Sequence, residues 1–263
     1  MGKLSGKVAV ITGASRGIGA GIATAYAQHG AKLALLDVSP ELDGFVTELR
    51  NKGYEVEGYK ADVTKPEDLK SVAAQIVEKY GTVDVLCCNA GVCRLGNFLE
   101  LTEADRDFHI DINIKGTWNT AHAFLPIMLE HGGGNIVITS SVTGDLVADP
   151  GETAYALSKA ALVGFTKSLA VEYAQKNIRV NAIQPGYVRT PMAESIAQQS
   201  NPDDPESVLT EMATAIPIRR LALPIEIGEL AAFLGCDESS YLTGTCNVID
   251  GGSTLPETVS VGV

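Results

Sequence analysis

The chain has 263 residues, 45% of them hydrophobic and 20% charged, which is ordinary globular composition and excludes a mainly disordered or low-complexity protein. Its 20 Lys and Arg stand against 32 Asp and Glu, a net charge of −12. Such a surface lacks the clustered positive charge that nucleic acid or an anionic bilayer attracts, so neither is an expected partner.

Along the chain, apolar runs of strand length alternate with longer helical patterns. Residues 2–7 carry charge and glycine and no apolar stretch, so they read as no signal peptide and point to the cytoplasm. Residues 7–12 predict a first strand, followed by glycines and a helix over 17–29 that Gly30 closes. A second strand covers 32–37, and Pro40 opens a helix to about Lys52. A weaker strand spans 55–60, and Pro66 begins a helix through Tyr80. The fourth strand covers 83–88, and one long helical region runs from about Asp105 to His131. After the fifth strand, 135–139, a helix covers 154–175, and residues 178–183 give the sixth strand. The stretch 190–223 looks irregular and long enough to act as a lid over a substrate. A helix from about Pro224 and a last strand at 246–249 complete the pattern.

Strands this apolar, each followed by a helix, predict a parallel sheet covered on both faces. Right-handed crossovers then give a single-domain, doubly wound Rossmann-type α/β fold with seven strands and ligands beyond their carboxyl ends. No apolar run reaches the roughly 18 residues of a membrane span. The five cysteines include Cys87, Cys88 and Cys93 close together, but without zinc-site spacing or a nearby His. Buried thiols in a reducing compartment, with no metal, are the expectation.

The first strand runs directly into Thr12-Gly13-Ala14-Ser15-Arg16-Gly17-Ile18-Gly19 at the start of a helix. Glycines there permit a tight turn and let backbone N–H groups approach a pyrophosphate at the helix N-terminus. Asp37 closes the second strand, where an acid accepts hydrogen bonds from an adenosine ribose and repels a 2′-phosphate. The carboxylate favours NAD, with NADP as the alternative.

The glycine spacing resembles the loop of the short-chain dehydrogenase/reductase family, and by that resemblance Arg16 is the opposing cue, since members that use NADP often carry a basic residue before the second glycine. Five further motifs follow in order. Asp62-Val63 follows the third strand, where the family contacts adenine, and Asn89-Ala90-Gly91 follows the fourth. Asn113 lies in a segment similar to the family's helical asparagine motif, and Pro185-Gly186-Tyr187-Val188-Arg189-Thr190 matches the nicotinamide-binding segment. Asp250-Gly251-Gly252 matches the usual end of the last strand. The resemblance therefore implies that Gly13, Ser15, Arg16, Gly17, Ile18, Gly19, Asp37, Asp62, Val63, Asn89, Ala90, Gly91, Tyr155, Lys159, Pro185, Gly186, Val188 and Thr190 bind the dinucleotide.

Tyr155 and Lys159 are an i, i+4 pair on one helix face. A cation about 4 Å from a phenol at an effective dielectric of 20 contributes at most roughly 4 kcal/mol, about 3 pK units, enough to make Tyr155 a usable acid or base. By resemblance, Tyr155 transfers a proton and Ser141 hydrogen-bonds the substrate oxygen. Ser140 is the competing serine if the strand's alternation continues. Lys159 lowers the pKa of Tyr155 and binds the nicotinamide ribose, and Asn113 holds a relay water. Arg94, Asp145, Glu152 and Tyr187 lie near motif ends and are candidates for the mouth of the cleft. Nothing is assigned to Gln184. The expected activity is hydride transfer between a nicotinamide cofactor and a small alcohol or carbonyl substrate with a polar rim. The rivals are an NADP-dependent carbonyl reductase and a dinucleotide-binding sensor without turnover. The family implies a homotetramer built on the two long helices and the C-terminal region.

Overall fold

The structure, a computed structural model, describes residues 2–256. Seven strands form one parallel sheet: β1 (Val8–Thr12), β2 (Lys32–Asp37), β3 (Val56–Lys60), β4 (Val85–Cys88), β5 (Gly134–Thr139), β6 (Ile178–Pro185) and β7 (Cys246–Ile249), in the spatial order β3-β2-β1-β4-β5-β6-β7. The order reverses between β1 and β4, whose paired residues include Ile11 and Cys87. A crevice for a ligand opens at such a reversal, outside the carboxyl ends of the strands.

The unbroken apolar runs have a simple cause. Within β1, Ala9 and Ile11 pack on one face of the sheet while Val8 and Val10 pack on the other, and β2 and β4 divide in the same way. One face is covered by α1 (Gly17–Gln28), α2 (Leu42–Asn51) and α9 (Pro224–Gly235), through residues such as Tyr26, Leu49 and Ile227. The other is covered by α3 (Pro66–Tyr80), α5 (Gly116–Glu130) and α6 (Thr153–Tyr173), through Leu69, Phe124 and Leu162. Helices α1 and α9 approach to backbone contact: a Cβ on Gly21 would lie 2.2 Å from the Pro224 carbonyl oxygen, and one on Gly228 would lie 2.4 Å from that of Gly21.

Two predicted regions differ. The long helix is α4 (Glu103–His109), a π-helical stretch (Ile110–Lys115) and α5 in succession. The wider turn carries Asn113, and such bulges re-aim side chains that a regular helix would direct elsewhere. The stretch 190–223 is not irregular, for it contains α7 (Pro191–Ser200) and α8 (Pro205–Ala215). Both begin with a proline after a capping residue. The Thr190 side chain accepts from the Ala193 amide, and Asp204 accepts from Ser207. Among the described residues no helix is long and apolar enough to cross a membrane, and no group of three or more His, Cys, Asp or Glu could hold a metal.

Candidate active site

A cavity of about 1010 Å³ lies at the carboxyl ends of the strands, walled by the loops after β1, β2, β4, β5 and β6 and roofed by α7 and α8. Of the predicted site residues, only Ser15 and Asn113 are not part of its lining.

The loop after β1 is closely packed. A Cβ on Gly19 would fall 2.0 Å from the Gly13 carbonyl oxygen, and Gly13 itself has φ +63°. Only glycine keeps the helix start this near the strand end. Asn89 ties the neighbouring strand ends together: its Nδ2 donates to the carbonyls of Thr12 and Gly13, both at 3.1 Å, and its Oδ1 accepts from the Thr139 hydroxyl at 3.2 Å. The N-terminus of α1 has no side-chain cap, so its first amides remain as donors beside the cavity, the arrangement that receives a phosphate group. Asp37 accepts from the amide and hydroxyl of Ser15 at 2.9 and 2.7 Å and from the Ser39 amide at 3.0 Å. Ser15 thus acts behind the wall, fixing the carboxylate. The Arg16 guanidinium, exposed, lies 4.0 Å from the Glu41 carboxylate. At the adjoining wall, Asp62 accepts from the amide and hydroxyl of Thr64 at 2.9 and 2.7 Å. This cradle of glycines, amide donors and an acid fits a dinucleotide.

At the other end Ser141, Tyr155 and Lys159 converge. The competing serines separate by their bonds. Ser140 donates to the Lys159 carbonyl at 2.8 Å, on the backbone of α6, whereas the Ser141 hydroxyl accepts from the Thr143 amide at 3.1 Å and acts on the Tyr155 phenol. Lys159 Nζ lies 5.6 Å from the centre of the Tyr155 ring and donates to the Thr139 carbonyl at 2.9 Å. Asn113 is fully buried behind the wall, with its Oδ1 accepting from the Val92 amide at 2.8 Å and its Nδ2 donating to the Val92 carbonyl and the Ser158 hydroxyl at 3.0 and 2.8 Å. The side chain therefore joins the loop after β4 to α6. Ser158 in turn donates to the Tyr155 carbonyl at 2.7 Å. Sequence reasoning missed Val92 and Ser158, because nothing local marks the partners of a buried amide.

Burial dominates the electrostatics. It pushes the Tyr155 phenol well up, with the Cys93 thiol and Glu152 adding to the rise and the Ser141 hydroxyl pulling it back. Burial also lowers the Lys159 ammonium to about 8. Lys159 is directed instead to the Thr139 carbonyl, and the groups that move the Tyr155 phenol are burial, Cys93, Glu152 and Ser141. Not all the thiols are buried: Cys93 and Cys246 are half-exposed, and burial raises Cys93, beside the site, to about 12.

The four mouth candidates part company. Arg94 lines the cavity, but its guanidinium pairs with Asp105 at 2.7 Å and lies 4.4 Å over the Phe108 ring. Asp145 is off the main cavity and accepts from Gln184 at 2.7 Å. Tyr187 and Glu152 both line it, and the Tyr187 hydroxyl donates to Asp149 at 2.9 Å.

A family model described as enoyl-(acyl carrier protein) reductase matches residues 13–254. The chain is 69% identical to the oxidoreductase UcpA of Salmonella typhimurium over all 263 residues, the full length of both. This chain is a short-chain dehydrogenase/reductase. Members at lower identity also match. The 3-oxoacyl-[acyl-carrier-protein] reductase FabG of Thermotoga maritima is 41% identical over 254 residues, 96% of this chain and 100% of that one. The crystal structure of levodione reductase superposes with a TM-score of 0.92 at 34% identity, covering 95% of this chain and 98% of that one. The family's Rossmann-type sheet is thus the fold of this chain as well, and the oxidoreductase class follows from the same relatives.

Proposed function

We propose that this short-chain dehydrogenase/reductase is a cytoplasmic, NAD(H)-preferring enzyme that interconverts a secondary alcohol and a carbonyl on a small polar substrate. The observation that carries the reading is the convergence of the Ser141 hydroxyl, the Tyr155 phenol and the Lys159 ammonium at one end of a cavity whose other end is a dinucleotide cradle. NAD(H), when bound, supplies the hydride acceptor or donor. The amides at the start of α1 would hold its pyrophosphate and Asp37 its adenosine ribose. Gly91 and residues 185–190 would receive its nicotinamide end.

Ser141 hydrogen-bonds the substrate oxygen and fixes it against Tyr155. Tyr155 takes the hydroxyl proton during oxidation and returns one during reduction. Ser141 favours the phenolate, and Lys159, about 8 when buried, is mainly protonated at neutral pH and keeps a positive charge on the same helix face. Lys159 would also hold the nicotinamide ribose. Asn113, locked between Val92 and Ser158, sets the wall along which a relay water passes the proton outward.

Asp37 and the pairing of Arg16 with Glu41 support the NAD preference. A 2′-phosphate would face the Asp37 carboxylate and compete with Glu41 for the guanidinium. The exposed Trp118, Leu157 and Val171 on α5 and α6 suit a homotetramer built on those helices; residues 257–263 of the C-terminal region expected to contribute lie outside the described ones.

The test is turnover followed by nicotinamide absorbance across alcohols, polyols, ketones and aldehydes, with NAD(H) and NADP(H) in parallel. NAD(H)-dependent activity is expected. Activity with NADP(H) alone would reverse the cofactor assignment in favour of Arg16. Tight dinucleotide binding with silence across the panel would transfer the reading to a sensor.

A further inference from the structure

Glu152 is 7% exposed, and its Oε2 is the one buried side-chain oxygen or nitrogen without a hydrogen-bond partner among the described residues. A buried polar atom left unpaired costs stability, so folding alone gives no reason to keep it. Glu152 occupies the N-cap of α6, and its side chain makes no bond to the first amides of the helix. Instead it lines the cavity, three residues before Tyr155 and therefore on the same side of the helix start.

The groups facing it are Asp149 on its own loop, Thr143 after β5, Cys93 after β4, Tyr155 on α6 and Tyr187 after β6. None is a cation. Arg94 is paired with Asp105, and Lys159 donates to the Thr139 carbonyl. The Tyr187 hydroxyl, which could donate, is turned to Asp149. Burial and the Asp149 charge raise the Glu152 carboxyl while the Thr143 hydroxyl lowers it, as suits a carboxylate lacking its counterpart.

We propose that Glu152 is a substrate-binding residue: its unpaired oxygen accepts a hydrogen bond from a second hydroxyl or an ammonium group carried by the substrate beside the reacting carbon. The proposal rests on the oxidoreductase reading for its substrate, and it narrows that substrate to a vicinal diol or amino alcohol. Substrates with a carboxylate at this place are rejected, because they would add a third negative charge beside Asp149 and Glu152.

Oxidation of 2-butanol, 2,3-butanediol, 1-amino-2-propanol and 3-hydroxybutyrate by the full chain, in wild type, Glu152→Gln and Glu152→Ala, tests this. In wild type the diol and the amino alcohol should exceed 2-butanol in kcat/KM by about tenfold to a hundredfold, chiefly through KM. Glu152→Ala should bring both ratios near one. Glu152→Gln, still an acceptor but uncharged, should restore the diol preference, leave the amino alcohol unfavoured and admit 3-hydroxybutyrate. Ratios equal in all three proteins would overturn the proposal.

A second readout does not need turnover. With NADH present, 2,3-butanediol should raise the thermal midpoint of wild type more than that of Glu152→Ala, with 2-butanol as reference. Equal shifts, or none in wild type, would also overturn it. A selective shift without any turnover would keep the binding role and remove the redox reading. Turnover of monofunctional alcohols with no selective shift would do the reverse.

Discussion

At the expected adenosine end of the cavity, the wall is tied at many points. Gly19 packs against the Gly13 carbonyl, Asn89 bridges β1, β4 and β5, and Asp37 is fixed by three donors. At the substrate end, α7 and α8 rest on a small separate cluster of Ala193, Ala197 and Leu209. That pair of helices is closed at its base by a bridge between Val188 and Ala222 and tied to the loop after β4 by Gln199, whose Oε1 accepts from the Leu95 amide at 3.1 Å. Elements with few buried contacts open at low free energy, which suits a roof that must admit substrate. The difference teaches how one cavity can pair a wall tied at many points, as a preformed cofactor surface needs, with a roof held by a small cluster, as a substrate cover that opens needs.

The largest effect should come from the chemistry between the two ends. Tyr155→Phe is expected to lower kcat by about 10²- to 10⁴-fold while the Kd for NADH changes little, a split read by absorbance and fluorescence titration. Dinucleotide binding lost along with turnover would mean the two ends are not separable. At the rigid end, Gly19→Ala should lower stability by about 1–3 kcal/mol and the thermal midpoint by about 2–4 °C for each kcal/mol, with weaker NADH binding. An unchanged midpoint would show that the loop yields.

Lys159 gives a pH test of the ground between them. Its folded pKa of about 8 lies below the unfolded value near 10.4. Between those values the unfolded chain holds more protons, so this group adds stability as pH rises from about 8 to 10. Lys159→Met should flatten that rise by about 1–3 kcal/mol in urea midpoints measured at both ends of the window. The smallest global effect belongs to the roof. Leu209→Ala should move the overall midpoint by less than the about 2–5 kcal/mol typical of a central core leucine. Amide exchange over 191–215 should meanwhile accelerate by about tenfold. A full core-sized loss would show that α8 unfolds only with the sheet.

The sheet was legible because each strand is an unbroken apolar run, and the cradle was legible because glycines, Asn89 and Asp37 act within short loops at fixed places in the βα order. The roof was misread. Residues 190–223 carry weak helical periodicity, for α7 and α8 bury little, although the Thr190-Pro191 and Asp204-Pro205 starts were present to be read. The π-helical turn at 110–115 was not legible either, since its widening follows from how Asn113 is held against Val92 and Ser158.

The sequence by itself therefore determined the parallel architecture, the crevice and the residue types around it, since these depend on hydrophobic period and on motifs acting within a few residues of one another. Tertiary structure decided which of two adjacent serines faces Tyr155, that Lys159 is directed to the Thr139 carbonyl, and that Glu152 is left with an unpaired oxygen. Each of those depends on solvent exclusion and on partners distant in the chain, and no local pattern records either.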